Sequence, residues 1–189
     1  MCFPWVVTFV SFQYRIDQLA RPEVGFCYFT RILESHALMH MHLEVSVPEQ
    51  TLRLMEGLTV VTSFTISTSK FGLGTDEGSN RTPLGNFAIF EKIGHGAPLR
   101  TIFRSRQPVG IWDPADPGDE DLVLTRILWL DGLDSDNANT RERYIYIHGT
   151  NQEHLLGTPA SHGCIRMASE DVINLFDRVD LGIPLNIVD

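Results

Sequence analysis

The 189-residue sequence has few cysteines, few lysines and no long apolar segment. Its three cysteines are too few for a disulfide framework, and a chain of this length buries roughly two thirds of its unfolded surface without one. No apolar run reaches the roughly 18 residues that a membrane-spanning helix needs. These absences argue against a disulfide scaffold and a membrane span, and they favour one globular domain with a short appendage.

Positive charge is also scarce, since 15 basic side chains stand against 24 acidic ones for a net charge of -9. Residues 111–189 alone carry 5 basic and 15 acidic side chains. An acidic surface repels phosphate backbones and anionic lipids, which argues against nucleic-acid or membrane-surface binding as the main role. The apolar residues 1–10 lack a preceding positive residue and a clear cleavage site after them, so they match a signal peptide poorly.

Apolar and polar residues alternate from Met41 onward, a pattern that predicts β-strands between turns. Three such segments follow one another closely and predict a meander. The strand predictions are 42–47, 51–55, 58–67, 86–93, 99–103, 122–130, 144–147 and 185–188. Residues 1–40 show no regular period, so we predict a functional domain over residues 41–189 and an N-terminal extension over residues 1–40.

One helix is predicted, near the C-terminus. Ser169 is a suitable N-cap, and Gly182 and Pro184 are suited to ending the helix. Its apolar face consists of Val172, Ile173, Leu175, Phe176 and Val179. The acidic, proline-rich stretch 113–121 is predicted to be a solvated loop. The residue pattern as a whole therefore predicts a mostly β domain with one packed helix.

Reactive side chains are concentrated in one segment, where one cysteine, two histidines and one arginine stand within 19 residues: His148, His162, Cys164 and Arg166. A free thiol, with a pKa of about 8.5, is mostly protonated at neutral pH and needs a nearby base before it can attack a carbonyl. The base must itself be oriented by a third group. His148 ends a predicted strand and Cys164 precedes the predicted helix, so an intervening loop can bring the two together.

Glycines and the arginine complete a plausible site for acyl transfer. Gly163 allows close approach of a substrate carbonyl, and the main-chain N–H groups around Gly163 and Cys164 are candidates for an oxyanion hole. Arg166 supplies a positive charge suited to a substrate carboxylate and to lowering the pKa of the thiol.

Three blocks of this sequence resemble the catalytic domain of the L,D-transpeptidases, the YkuD-type family that crosslinks peptidoglycan. They read HLEVSVPEQTLRLMEG, RTPLGNFAIFEKIG and IHGTNQEHLLGTPASHGCIRM, and together they cover roughly residues 41–189. The last block carries the family's His-Gly-Thr-Asn and Ser-His-Gly-Cys-Ile-Arg segments. Many members read Ser-Thr-Gly where this chain has Ser67-Thr68-Ser69.

The resemblance implies a β-sandwich or barrel with one packed C-terminal helix, and it implies roles for individual residues. Cys164 is expected to be the nucleophile, His148 the general base, and the carbonyl of Gly149 the group that orients the imidazole. The residues expected to line the site, with Arg166 binding substrate, are Ser161, His162, Gly163 and Arg166.

The same resemblance implies a substrate and a location. The thiolate is expected to attack the L-centre carbonyl of the diamino acid in a peptidoglycan tetrapeptide stem, expel D-alanine and pass the acyl group to an amine. Related members hydrolyse the acyl-enzyme, so an L,D-carboxypeptidase is an alternative. The cell envelope is the expected location, no cofactor or metal is required, and the oligomeric state is left open.

Other interpretations of these residues remain open from the sequence. Cys164 is also compatible with a buried small side chain, and His162 with a packing role. Arg166 is placed to pair with Glu170 at the helix start. A metal-binding module is a further alternative, since thiolate and imidazole suit zinc; its ligands would come from His148, His154, His162 and Cys164.

Overall fold

The structure, a computed structural model, describes residues 40–116, 118 and 120–189. Cys2, Cys27 and nearly all of the predicted extension lie outside the described residues. Within these described residues the ten strands are β1 Met41–Ser46, β2 Thr51–Glu56, β3 Thr59–Ser67, β4 Gly85–Ile93, β5 Thr101–Arg104, β6 Gln107–Ile111, β7 Val123–Gly132, β8 Tyr146–Gly149, β9 Ile165–Met167 and β10 Pro184–Val188. The helix α1 spans Ser169–Arg178, and a 3₁₀ turn spans Glu153–Leu155.

The strands form one sheet that closes on itself. Their order is β4-β10-β1-β2-β3-β9-β8-β7-β5-β6, and β7 also pairs with β4. Eight strands therefore make a closed barrel, and the β5–β6 hairpin extends from the start of β7. The predicted mostly β fold, a barrel with one C-terminal helix, is confirmed.

The predicted meander is strands β1 to β3, which pair antiparallel in chain order. Leu43 lies opposite Leu54 and Val45 opposite Leu52, and all four side chains are fully buried. Because successive side chains of a strand point to opposite faces, the alternating sequence places one apolar row inside the barrel.

Helix α1 buries its apolar face against strands β7 and β8. Val172, Leu175 and Phe176 belong to the same buried cluster as the strand residues of the barrel. The prediction of Ser169 as the N-cap was wrong by one residue. Ala168 occupies that position, and Ser169 is the first helical residue, with its hydroxyl accepting a hydrogen bond from Thr125 at 3.0 Å.

Several strand predictions were displaced or missing. Strand β8 begins at Tyr146, two residues later than predicted, because Tyr144 has a left-handed φ of 56° that ends the preceding turn. Strand β6 was not predicted, since every residue in it is exposed and it contains Pro108. Strand β9 was not predicted because its three residues are too few to show a period, and all three are buried, including the charged Arg166.

No helix within the described ranges is long and apolar enough to cross a membrane.

Candidate active site

Two adjacent parallel strands bring the sequence motifs together. Strand β8 pairs with β9 so that His148 lies opposite Arg166 and Gly149 opposite Met167. Cys164 immediately precedes β9, so it lies at the same end of this strand pair as the start of β8. The fold thus converts a separation of 16 residues along the chain into neighbouring positions in the sheet.

A cavity of about 500 Å³ opens at this point and includes the predicted nucleophile and base. Its size is typical of small-molecule pockets. Its lining residues are Arg104, Glu120, Asp121, Val123, His148, Ser161, His162, Cys164 and Arg166. Of the four residues that were expected to line the site, Ser161, His162 and Arg166 line this cavity, and Gly163 is not among its lining residues.

His148 is buried, and its ring is oriented by the backbone. Its Nδ1 lies 2.8 Å from the carbonyl oxygen of Gly149. A carbonyl only accepts, so Nδ1 carries the proton and the lone pair of the neutral ring lies on Nε2. Burial lowers the pKa of His148. The imidazole is therefore neutral at pH 7 and ready to accept a proton.

Cys164 is a partly buried free thiol held by the chain just before and within β8. The N–H of Tyr146 donates to Sγ at 3.4 Å, and the thiol lies 3.5 Å from the carbonyl oxygen of Tyr144. Burial raises the pKa of Cys164 to about 11, although the Tyr146 N–H and the positive charges of Arg166 and Arg143 act in the opposite direction. The resting site therefore holds a neutral thiol rather than a thiolate, so Arg166 only partly offsets the effect of burial.

The loop before Cys164 is fixed by hydrogen bonds from the hydroxyls of Ser161 and Thr82. The hydroxyl of Ser161 donates to the carbonyl of Cys164 at 2.6 Å and accepts the N–H of Gly163 at 3.3 Å. The hydroxyl of Thr82 donates to the carbonyl of Gly163 at 3.0 Å. Gly163 has a φ of 117°, a backbone conformation that residues with a Cβ atom rarely adopt. Its N–H already has a partner at rest, and its role in an oxyanion hole stays a prediction.

Arg166 is placed differently from the expectation for a substrate-binding residue. Its side chain is 1% exposed, and Nη1 contacts Asp121 at 3.0 Å and Gln152 at 2.8 Å. Nη2 donates to the hydroxyl of Ser67 at 3.1 Å. Its ion-pair partner is thus Asp121 rather than Glu170. Direct binding of a substrate carboxylate by Arg166 stays a prediction, and one that this arrangement does not favour.

Asp121, the last residue of the predicted solvated loop 113–121, is an exposed loop residue as predicted, but its side chain faces the site. The side chain of Asp121 is only 22% exposed and lies in the cavity, with Oδ2 3.5 Å from Nδ1 of His162. The His162 ring is half exposed and packs on Phe71 with 5.6 Å between ring centres. A local composition rule could not identify Asp121, because its partners lie 41 and 45 residues away in the chain.

The metal-site alternative finds no geometric support in the described part of the chain. There, no group of three or more His, Cys, Asp or Glu side chains is arranged to hold a metal ion. His154 is exposed on the 3₁₀ turn, and it is absent from the residues that line the cavity.

Comparison with known proteins identifies the family. The family model of the YkuD L,D-transpeptidase catalytic domain matches residues 40–187. The chain belongs to this family. One relative, the putative L,D-transpeptidase YqjB of Bacillus subtilis, is 41% identical over 54 residues, which are 29% of this chain and 31% of YqjB.

Solved L,D-transpeptidases share the fold. A structure from Mycobacterium smegmatis has a TM-score of 0.52 at 17% identity, covering 79% of this chain and 59% of that one. The transpeptidase LdtMt1, solved in complex with imipenem, has a TM-score of 0.50 at 20% identity, covering 78% of this chain and 58% of that one. This chain thus spans less than two thirds of each of these relatives.

Sequence reasoning missed several residues that shape the site of this L,D-transpeptidase domain. Asn151 and Gln152 directly follow His-Gly-Thr in the chain, and that adjacency to the motif was an available signal. Ser67 belongs to the Ser-Thr-Ser segment that differs from many family members. Its hydroxyl donates to the carbonyl of Thr158 at 2.7 Å and accepts from Arg166, so β3 is tied to the loop before the thiol.

Proposed function

We propose that this domain is a cysteine-dependent L,D-transpeptidase that forms an acyl-enzyme at Cys164 with peptidoglycan tetrapeptide stems and transfers it to an amine. The observation that carries the proposal is the hydrogen bond between His148 and the Gly149 carbonyl, in the cavity that also holds Cys164. A neutral base, an oriented tautomer and a thiol in one cavity are what thiol acyl transfer requires. The cell envelope is the proposed site of action.

The proposed first step begins from the neutral pair. As Sγ of Cys164 attacks the L-centre carbonyl of the stem diamino acid, Nε2 of His148 takes the thiol proton and a carbon–sulfur bond forms. The imidazolium then gives this proton to the leaving amine as the carbon–nitrogen bond to D-alanine breaks. In the second step an acceptor amine attacks the thioester carbonyl and loses a proton to Nε2 of His148 as the new carbon–nitrogen bond forms. The carbon–sulfur bond then breaks, and the imidazolium returns this proton to Sγ, which restores the thiol.

The neutral resting pair has a specific consequence for this mechanism. Because burial raises the pKa of Cys164 and lowers the pKa of His148, proton transfer to the imidazole is unfavourable until a substrate carbonyl accepts the sulfur. Attack and proton transfer are therefore expected to be coupled, with His148 acting as a general base rather than as one half of a preformed ion pair.

The decisive experiment is incubation of the protein with purified tetrapeptide muropeptides, followed by mass analysis of products. Crosslinked dimers support transpeptidation, whereas tripeptides alone indicate the L,D-carboxypeptidase alternative. A parallel incubation with imipenem tests for a covalent adduct on Cys164. Cys164→Ala is expected to abolish the adduct while the circular dichroism spectrum is retained.

The base is tested with a matched pair of histidine variants. His148→Ala is expected to slow adduct formation by on the order of 10². His154→Ala replaces an exposed histidine in the same motif segment and is expected to react at the wild-type rate. Adduct formation by Cys164→Ala, or equal rates for the two histidine variants, would contradict the proposed mechanism.

A further inference from the structure

The carboxylate of Asp121 contacts both sides of the segment that carries the proposed nucleophile. Its Oδ1 lies 3.0 Å from Nη1 of Arg166, two residues after Cys164, and its Oδ2 lies 3.5 Å from Nδ1 of His162, two residues before. We propose that Asp121 is a positioning residue that fixes the Cys164 segment through Arg166 and His162. This inference deepens the proposed function and rests on Cys164 being its nucleophile.

Asp121 is itself held in place by the other half of the sequence motif. The side chain of Asn151 donates from Nδ2 to the carbonyl of Glu120 at 2.8 Å and accepts the N–H of Leu122 at 2.9 Å. These two hydrogen bonds hold the backbone on either side of Asp121. Asn151 follows His148 by three residues, so the base segment fixes the backbone of Asp121 while the nucleophile segment binds its side chain.

The charge of Asp121 matters because Arg166 is buried. The other groups that receive hydrogen bonds from the Arg166 guanidinium, Gln152 and Ser67, are neutral, and its Nε is buried without a hydrogen-bond partner among the described residues. A buried guanidinium without a counter-charge is strongly unfavourable. Asp121 therefore supplies the charge that allows Arg166 to remain inside the barrel end, directly across from His148.

Asp121 also acts on the reacting groups electrostatically. Its negative charge raises the pKa of Cys164 and of His148, whereas the positive charge of Arg166 lowers both. Arg143, from the loop before β8, also lowers the pKa of Cys164. Removing the negative charge of Asp121 leaves the positive charges of Arg166 and Arg143 without opposition near the thiol, so it is expected to lower the pKa of Cys164. A purely structural contact would not move this titration.

The test is Asp121→Asn in the full chain, with Asp116→Asn as the matched control. Asp116 is an exposed carboxylate in the same loop, outside the lining of the active-site cavity. Two quantities are measured, namely the pH midpoint of Cys164 alkylation by iodoacetamide and the rate of adduct formation with imipenem at pH 7. Asp121→Glu, which keeps the charge, is the rescue variant.

We expect Asp121→Asn to shift the alkylation midpoint downward by about one pH unit and to slow imipenem acylation by about tenfold or more. Asp116→Asn is expected to match the wild type in both quantities, and Asp121→Glu to keep a midpoint near the wild-type value. The proposal is overturned if Asp121→Asn and Asp116→Asn give the same midpoint and the same rate.

A second variant covers the case in which Asp121→Asn does not fold because Arg166 is left unpaired. The double variant Asp121→Asn with Arg166→Gln removes the buried guanidinium together with its counter-charge, so we expect it to fold and to acylate at least about tenfold more slowly than the wild type. A folded double variant with the wild-type acylation rate overturns the proposal. Failure of the wild type to process muropeptides would count against the proposed function alone, because the alkylation midpoint is read on the thiol itself.

Discussion

Alkylation of Cys164 by iodoacetamide provides a direct test of the resting protonation state of the site. Burial raises the pKa of the Cys164 thiol to about 11, at least roughly two units above that of an ordinary thiol. Only the thiolate reacts, and its fraction at pH 7 falls tenfold for each unit by which the pKa rises. We therefore expect Cys164 in the folded protein to react about 100-fold more slowly at pH 7 than in the unfolded chain.

The pH profile carries the same information independently of absolute rates. The alkylation rate of the folded protein is expected to rise about tenfold per pH unit from pH 7 and to continue rising beyond pH 9, where an ordinary thiol levels off. The assay is mass mapping of the peptide that contains Cys164 after timed exposure, with the same peptide from urea-unfolded protein as the reference.

The variant His148→Ala separates this account from a preformed thiolate–imidazolium pair. A neutral His148 exerts no charge on the thiol, so its removal is expected to leave the alkylation midpoint unchanged while slowing acylation by imipenem. A rate plateau below about pH 8 in the wild type, or an upward shift of the midpoint in His148→Ala, would refute the neutral resting state.

Three further substitutions test the packing around the site. Gly149→Ala would place a Cβ 2.8 Å from the carbonyl oxygen of Leu124, so the strand must shift and acylation by imipenem is expected to slow by at least about tenfold. Gly110→Ala is the control in the same assay, because its new Cβ meets nothing within 4 Å. Gly163→Ala is expected to reduce the free energy of unfolding by about 1–3 kcal/mol, because alanine is strained at a φ of 117°; urea denaturation showing no loss would contradict this. Phe176→Ala is expected to cost about 3–5 kcal/mol in the same denaturation assay, since its fully packed ring joins α1 to the barrel, and a loss below 1 kcal/mol would argue against that packing.

The sequence predicted the elements whose burial follows a simple period. The strands of the meander alternate because one face of each is inside the barrel, and α1 repeats its apolar residues because one face packs on β7 and β8. Strand β6 has no buried face and β9 is only three residues long, so neither leaves a periodic signal. The helix start was misplaced by one residue because the Ser169 hydroxyl bonds to Thr125 instead of capping the helix.

The family, the mostly β class and the residues of the proposed thiol chemistry could be predicted from the order of residues alone, because the reactive side chains and their glycines lie in two short local segments. The charge arrangement around Cys164, in contrast, depends on the folding of the chain. Folding turned Arg166 inward onto Asp121 and brought an acidic residue from a distant loop into the cavity. The physical reason is that the pairing of a buried charge and the desolvation of a thiol depend on neighbours in space, which the order of residues along the chain does not specify.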